Sequence, residues 1–100
     1  MSQHGLTTSQ LEIIGKILKP YADKIEKVGF FGSRATGRYT PSSDIDLVLY
    51  GDLDTKTIDH LWTLFDESSL PFKVDVLAYQ LINHKALKQH IDEVLLPIKF

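Results

Sequence analysis

Gly32 and Ser33, then Asp44 and Asp46 one residue apart, then Asp75, are the residues of this chain whose types and spacing can do chemistry together. Gly32 and Ser33 offer backbone N–H and a hydroxyl to phosphate oxygens, and two carboxylates at a fixed distance downstream offer hard oxygen ligands to Mg²⁺ or Mn²⁺ ions that neutralise those oxygens. In a strand, residues at i and i+2 share a face with Cα atoms roughly 6–7 Å apart, so Asp44 and Asp46 point the same way. In two-metal phosphoryl transfer the ions lie about 3.5–4 Å apart, which that spacing can serve, and a third acid completes such a site. Asp75 is the candidate, because a carboxylate in the middle of a β-rich run is otherwise disfavoured. It would ligate the metal that activates an attacking hydroxyl, and could accept its proton.

The elements that must position these groups follow from periodicity. Leu11, Ile13, Ile14, Ile17 and Leu18 recur at helical spacing, and both Thr7…Gln10 and Ser9…Glu12 fit a capping box, which predicts a helix from about Thr8 to Lys19 that ends near Pro20. The run from Lys27 to Phe31 reads as a strand closing on the Gly32-Ser33 turn. Asp44–Tyr50 reads as a second strand, with Ile45, Leu47 and Leu49 facing a core opposite the two acids. A helix capped by Asp54 or Thr55 and running to about Ser68 is long enough for a crossover that lays a third strand, Phe72–Ala78, beside the second. A last helix is expected from about Asn83 to Val94, and an extended edge over Leu95–Phe100.

Other polar groups have weaker claims. Arg34, adjacent to the loop, and Arg38 are candidates for contact with a triphosphate or are surface charges, and Arg34 is the better placed. Ser43 is a phosphate contact or a turn residue, and Lys73 is a phosphate contact or, the better reading, a solvated charge. His60, His84 and His90 have no partner at ligand spacing and read as surface residues, so no zinc site is expected. Tyr50, Trp62, Phe65 and Phe72 read as core aromatics.

Composition bounds the rest. One hundred residues, 43% hydrophobic and 24% charged, suit one domain over residues 1–100. The absence of cysteine, of a signal-peptide pattern and of a long apolar run points to a cytoplasmic protein that does not cross a membrane. A net charge of −2 gives no electrostatic reason to expect long nucleic acid as a partner.

The string Gly32-Ser33, ten residues, then Asp44-Ile45-Asp46, with Asp75 in Lys-Val-Asp-Val-Leu, resembles the signature of the DNA polymerase β-like nucleotidyltransferase superfamily. Phe-Phe-Gly-Ser-Arg-Ala and Leu-Pro-Phe-Lys-Val-Asp resemble its minimal bacterial and archaeal members. The resemblance implies an α+β, two-layer fold with a small mixed sheet flanked by helices. It implies transfer of a nucleoside monophosphate, AMP from ATP foremost, to a hydroxyl with release of pyrophosphate. In that scheme Gly32, Ser33 and Arg34 bind the nucleotide and Asp44, Asp46 and Asp75 hold Mg²⁺ or Mn²⁺. Such proteins are commonly paired with a helical-bundle protein of the HEPN or substrate-binding type, several as toxin–antitoxin systems in which a tyrosine of the toxin is adenylylated. The chain has no segment for gripping an acceptor, so that grip falls to a partner or to a second copy in a homodimer. Two other readings compete: a non-catalytic nucleotide-binding antitoxin that neutralises its partner by contact, and a subunit of a small-molecule nucleotidyltransferase.

Overall fold

The computed structural model describes residues 4–99. Helix α1 (Thr8–Leu18) starts at the first of the two possible capping boxes: Gln10 N–H donates to Thr7 Oγ1 at 3.1 Å and Thr7 N–H to Gln10 Oε1 at 3.0 Å. A 3₁₀ turn over Lys19–Tyr21 carries Pro20 and leads to strand β1 (Ile25–Phe31). A one-turn helix α2 (Ser33–Thr36), strand β2 (Ile45–Gly51) and helix α3 (Thr55–Asp66) follow. The chain then forms β3 (Val74–Ala78), α4 (Lys85–Val94) and β4 (Leu96–Ile98).

The sheet is mixed, as an α+β chain of this pattern requires, in the order β3-β2-β1-β4. β1 pairs antiparallel with β2 and β4, whereas β2 and β3 are parallel and joined through α3. Ile45, Leu47 and Leu49 are fully buried on one face, in the main core with Ile14, Phe30, Leu61, Phe65 and Val76. Val48, on the alternate parity, packs with Phe31 and Ile91 in a smaller cluster, which places α4 against the other face. Burying each of these large aliphatic side chains contributes about 1.5–3 kcal/mol, so the main core fixes the register of β2 firmly. Trp62 Nε1 donates to Val76 O at 2.9 Å, so α3 also satisfies a carbonyl of the edge strand.

Several boundaries differ from the sequence expectation. β2 begins at Ile45, which leaves Asp44 just outside it, and β3 begins at Val74 rather than Phe72. The reason is pairing: the first partners in the β2/β3 ladder are Ile45 and Val74, the Lys73 carbonyl takes only the opening bond from Ile45 N–H at 2.9 Å, and Phe72 lies before the ladder. β1 starts two residues early, at Ile25, because a bulge between Ile25 and Lys27 keeps it paired to Gly51. α3 ends at Asp66 and α4 starts at Lys85. The extended edge is confined to Leu96–Ile98, and Phe100 lies outside the described residues. Of the expected core aromatics, Phe65 is buried, and Tyr50, Trp62 and Phe72 are half-buried at its margin. No helix among the described residues is long and apolar enough to cross a membrane.

Candidate active site

Parallel pairing places Asp46 of β2 directly beside Asp75 of β3, and antiparallel pairing places Phe31, the last residue of β1, on the other side of Asp46. Side chains in register share a face, so the two carboxylates meet at the point where the chain turns from β1 into Gly32. Gly32 has φ 70° and ψ −151°, a conformation open to glycine almost alone. A Cβ built on it would overlap Asp46 Oδ2, so the loop backbone rests against the carboxylate. Asp44 is exposed, one residue before β2. Burial, then the charge of Asp75 and a hydrogen bond with it, then the charge of Asp44, push the Asp46 carboxyl up to about 6, with His90 of α4 acting in the opposite sense.

Two like charges at adjacent register positions repel unless a proton or a cation lies between them. Asp75 Oδ1 is buried and accepts no hydrogen bond; its ion-pair partner, Lys73 Nζ, stands 3.5 Å away on a side chain that is 62% exposed. An orphaned carboxylate oxygen of that kind, among hard oxygen donors, suits Mg²⁺ or Mn²⁺. Among the described residues no three His, Cys, Asp or Glu side chains form a complete cation cage. Mg²⁺ does not require one, since it is usually held by one or two carboxylates with substrate phosphates and water filling the octahedron. Beside the start of β3 a cleft of about 650 Å³ opens between Trp62, Leu70 and Phe72, and Lys73 forms part of its wall with its ammonium 5.6 Å from the Trp62 ring centroid.

Residues 12–96 match the model of the polymerase beta nucleotidyltransferase family. The chain belongs to that family. It is 35% identical to a Haemophilus influenzae protein, MntA, named as a probable protein adenylyltransferase, over 78 residues that make up 76% of this chain and 68% of that one. It is 38% identical over 52 residues to a Methanocaldococcus jannaschii protein named in similar terms, and the match spans about half of each, 52%. The fold is also that of a chain in a toxin–antitoxin crystal structure with AMP-PNP, at a TM-score of 0.70 and 24% identity, covering 86% of this chain and 69% of that one. A chain of the MntA–HepT toxin–antitoxin structure superposes with a TM-score of 0.62 at 22% identity, covering 88% and 69%.

Within this nucleotidyltransferase frame, one expectation needs correcting. Arg34 does not offer its side chain to a phosphate: it is 1% exposed. Its Nη1 donates to His4 O at 3.2 Å, and Nη2 to Ser43 O at 2.9 Å and Pro41 O at 3.3 Å. The guanidinium lies between the rings of Tyr39 and Phe72, 5.1 and 5.0 Å from their centroids. Burial pulls its pKa below the ordinary value, though a guanidinium stays protonated near neutrality. Arg34 therefore ties the loop that ends in Asp44 to the N-terminal segment, where His4 is itself buried edge-on to Phe30. Arg38 is exposed, and Ser43 holds the same loop, its Oγ accepting from Thr40 N at 2.7 Å.

His60, His84 and His90 are all exposed, as expected. His84 caps α4, its Nδ1 accepting from Leu87 N at 3.1 Å, a role its place just before the helix could have signalled. The charge of His90 is felt at Asp46, a consequence of how α4 docks that no local spacing carries. Gly32→Ala is expected to cost about 2–3 kcal/mol, from the backbone conformation and the displaced Asp46 carboxylate. A thermal melt checks it, and an unchanged melting temperature would contradict the close packing of loop and acid.

Proposed function

We propose that this chain is a metal-dependent nucleotidyltransferase that moves AMP from ATP to a hydroxyl of a partner protein, a tyrosine of a HEPN-type helical protein, as the antitoxin of a toxin–antitoxin pair. The observation that carries the reading is the Asp46–Asp75 pair, held in register against a glycine-only loop with one carboxylate oxygen buried and unmet. A divalent cation, Mg²⁺ or Mn²⁺, held by Asp46 and Asp75, with Asp44 at the mouth of the site completing the set once the triphosphate is bound, would neutralise the triphosphate oxygens and make the attacking hydroxyl more acidic. Gly32 and Ser33 hold the β- and γ-phosphates by backbone N–H and hydroxyl. Asp75 takes the proton of the acceptor hydroxyl as its oxygen bonds to the α-phosphorus, and the bond to pyrophosphate breaks. The adenylyltransferase names of the relatives and the AMP-PNP of a structural neighbour support the donor and the reaction.

The test is mass spectrometry of the cognate partner after incubation with ATP and Mg²⁺. The expected product is the partner carrying one or more AMP groups on tyrosine, absent with Asp44→Asn. Failure of all four nucleoside triphosphates to modify the partner would overturn the reading. If Asp44→Asn neutralised the partner as fully as the parent protein does, contact rather than chemistry would be the antitoxin mechanism.

A further inference from the structure

On the main-core side of the sheet, remote from the carboxylates, α1, the start of β1 and the edge strand β4 enclose an open groove of about 630 Å³. Its floor is aliphatic, with Leu18, Ile25, Val28 and Ile98, and no aromatic residue lines it. Lys16, Lys19 and Lys99 stand on its rim, all exposed, and none is paired with a carboxylate among the described residues, where Lys73–Asp75 is the ion pair; a fourth lining lysine, Lys27, holds its ammonium over the Tyr50 ring, 5.0 Å from the centroid. Glu26 is the one acid lining it. In a chain of net charge −2 this is a local concentration of unneutralised positive charge around apolar surface.

Gly15 also lines the groove, from the interior of α1. A glycine there costs the helix about 1 kcal/mol relative to alanine, and it is not among the glycines of positive φ, so its backbone conformation does not require it. What it does is lower the helix wall of the groove by a side chain.

We propose that this groove docks an acidic amphipathic helix of the protein partner, with aliphatic side chains against the floor and carboxylates against the three lysines. The floor argues against single-stranded nucleic acid, which needs aromatic platforms for its bases. The edge argues against an added strand: β4 is three residues long with Pro97 at its centre, a poor template for pairing. An amphipathic helix laid in a groove needs neither. Val28, on the floor, and Phe31, beside Asp46, belong to the cores of opposite sheet faces, and three residues of strand, about 10 Å, separate them. Docking therefore leaves the carboxylates open to nucleotide and acceptor. The inference relies on the proposed function only for the existence of a protein partner.

The test needs neither ATP nor the cognate partner. A fluorescent helical peptide of about 20 residues, with leucines at i, i+3, i+4 and i+7 and glutamates elsewhere, is titrated into the parent protein and into the triple variant K16E/K19E/K99E. The parent is expected to bind with methyl shifts at Ile25, Val28 and Ile98, and the variant at least about tenfold more weakly, with the difference shrinking at roughly 1 M salt. A retained melting temperature shows that the exposed substitutions leave the fold intact. Equal affinity of variant and parent, equal binding of the peptide with lysines replacing glutamates, or tighter binding of a single-stranded oligonucleotide would overturn the proposal. Loss of AMP transfer with peptide binding intact would count against the proposed function alone.

Discussion

Asp46→Asn is expected to abolish nucleotide transfer and, in the metal-free protein above pH 6, to raise stability. The two effects have one cause. The Asp46 carboxyl is pushed from an ordinary 3.8 up to about 6 in the folded chain, by burial first and by Asp75 next. A folded-state pKa above the unfolded one means that the folded form binds the proton more tightly. The associated stability is complete below about pH 4 and is lost as pH rises through about 6. At about 1.4 kcal/mol per pH unit, that rise sets an upper bound of about 3 kcal/mol. Solvent screening of a half-buried group lowers the figure. Asparagine carries no charge at any pH and can donate an amide hydrogen bond to Asp75. Its melting temperature at pH 8 should therefore lie roughly 5–15 °C above the parent's, at about 4–8 °C per kcal/mol for a chain of this size. The gap should close by about pH 4. Transfer should fall by at least about 10²–10³-fold, the usual cost of removing one preorganised electrostatic group from a reaction centre. A variant that is both inactive and less stable at pH 8 would show the carboxylate to be a structural support instead.

Arg34→Met carries the largest expected loss of stability. The methionine fills much of the volume but leaves the carbonyls of His4, Pro41 and Ser43 without their donor, each at a cost of about 1–3 kcal/mol when it stays buried. Loss of the contacts with Tyr39 and Phe72 adds to this. A net destabilisation of about 3–4 kcal/mol, or roughly 15–25 °C in melting temperature, is expected. Arg34→Lys should recover less than half, because one ammonium cannot span the carbonyls that a planar guanidinium reaches together. At a temperature where Arg34→Met is still folded, nucleotide affinity should also fall, since Ser43 immediately precedes Asp44 and its carbonyl takes the shortest of the three bonds. A melting temperature within a few degrees of the parent's would contradict this role.

The fold's elements were legible wherever a period was long enough to show one. The alternation in Ile45–Leu49 announced a strand buried on one face, the spacing in α1 and α3 announced amphipathic helices, and the mid-strand position of Asp75 marked it as needing a reason. What local pattern could not reveal is set by distant parts of the chain. Arg34 beside a phosphate-type loop looks like an anion contact. Its burial depends on Tyr39, Phe72 and the N-terminal segment closing around it, and on carbonyls with no sequence signature. Asp44 fell outside β2 because the ladder starts where β3 supplies a partner, which neither stretch discloses alone. The rim of lysines around the α1–β4 groove draws on both ends of the chain, so charge counting along the sequence averages it away.

The central claim is that Asp46 and Asp75 are brought together to hold a cation on a triphosphate. Calorimetric titration of a non-hydrolysable ATP analogue, with and without Mg²⁺, into the parent protein and into Asp46→Asn measures this directly. The account predicts Mg²⁺-dependent binding to the parent, weakened by at least about tenfold in Asp46→Asn even though that variant is the more stable fold. Binding of equal strength to both proteins, or binding indifferent to Mg²⁺, would contradict it.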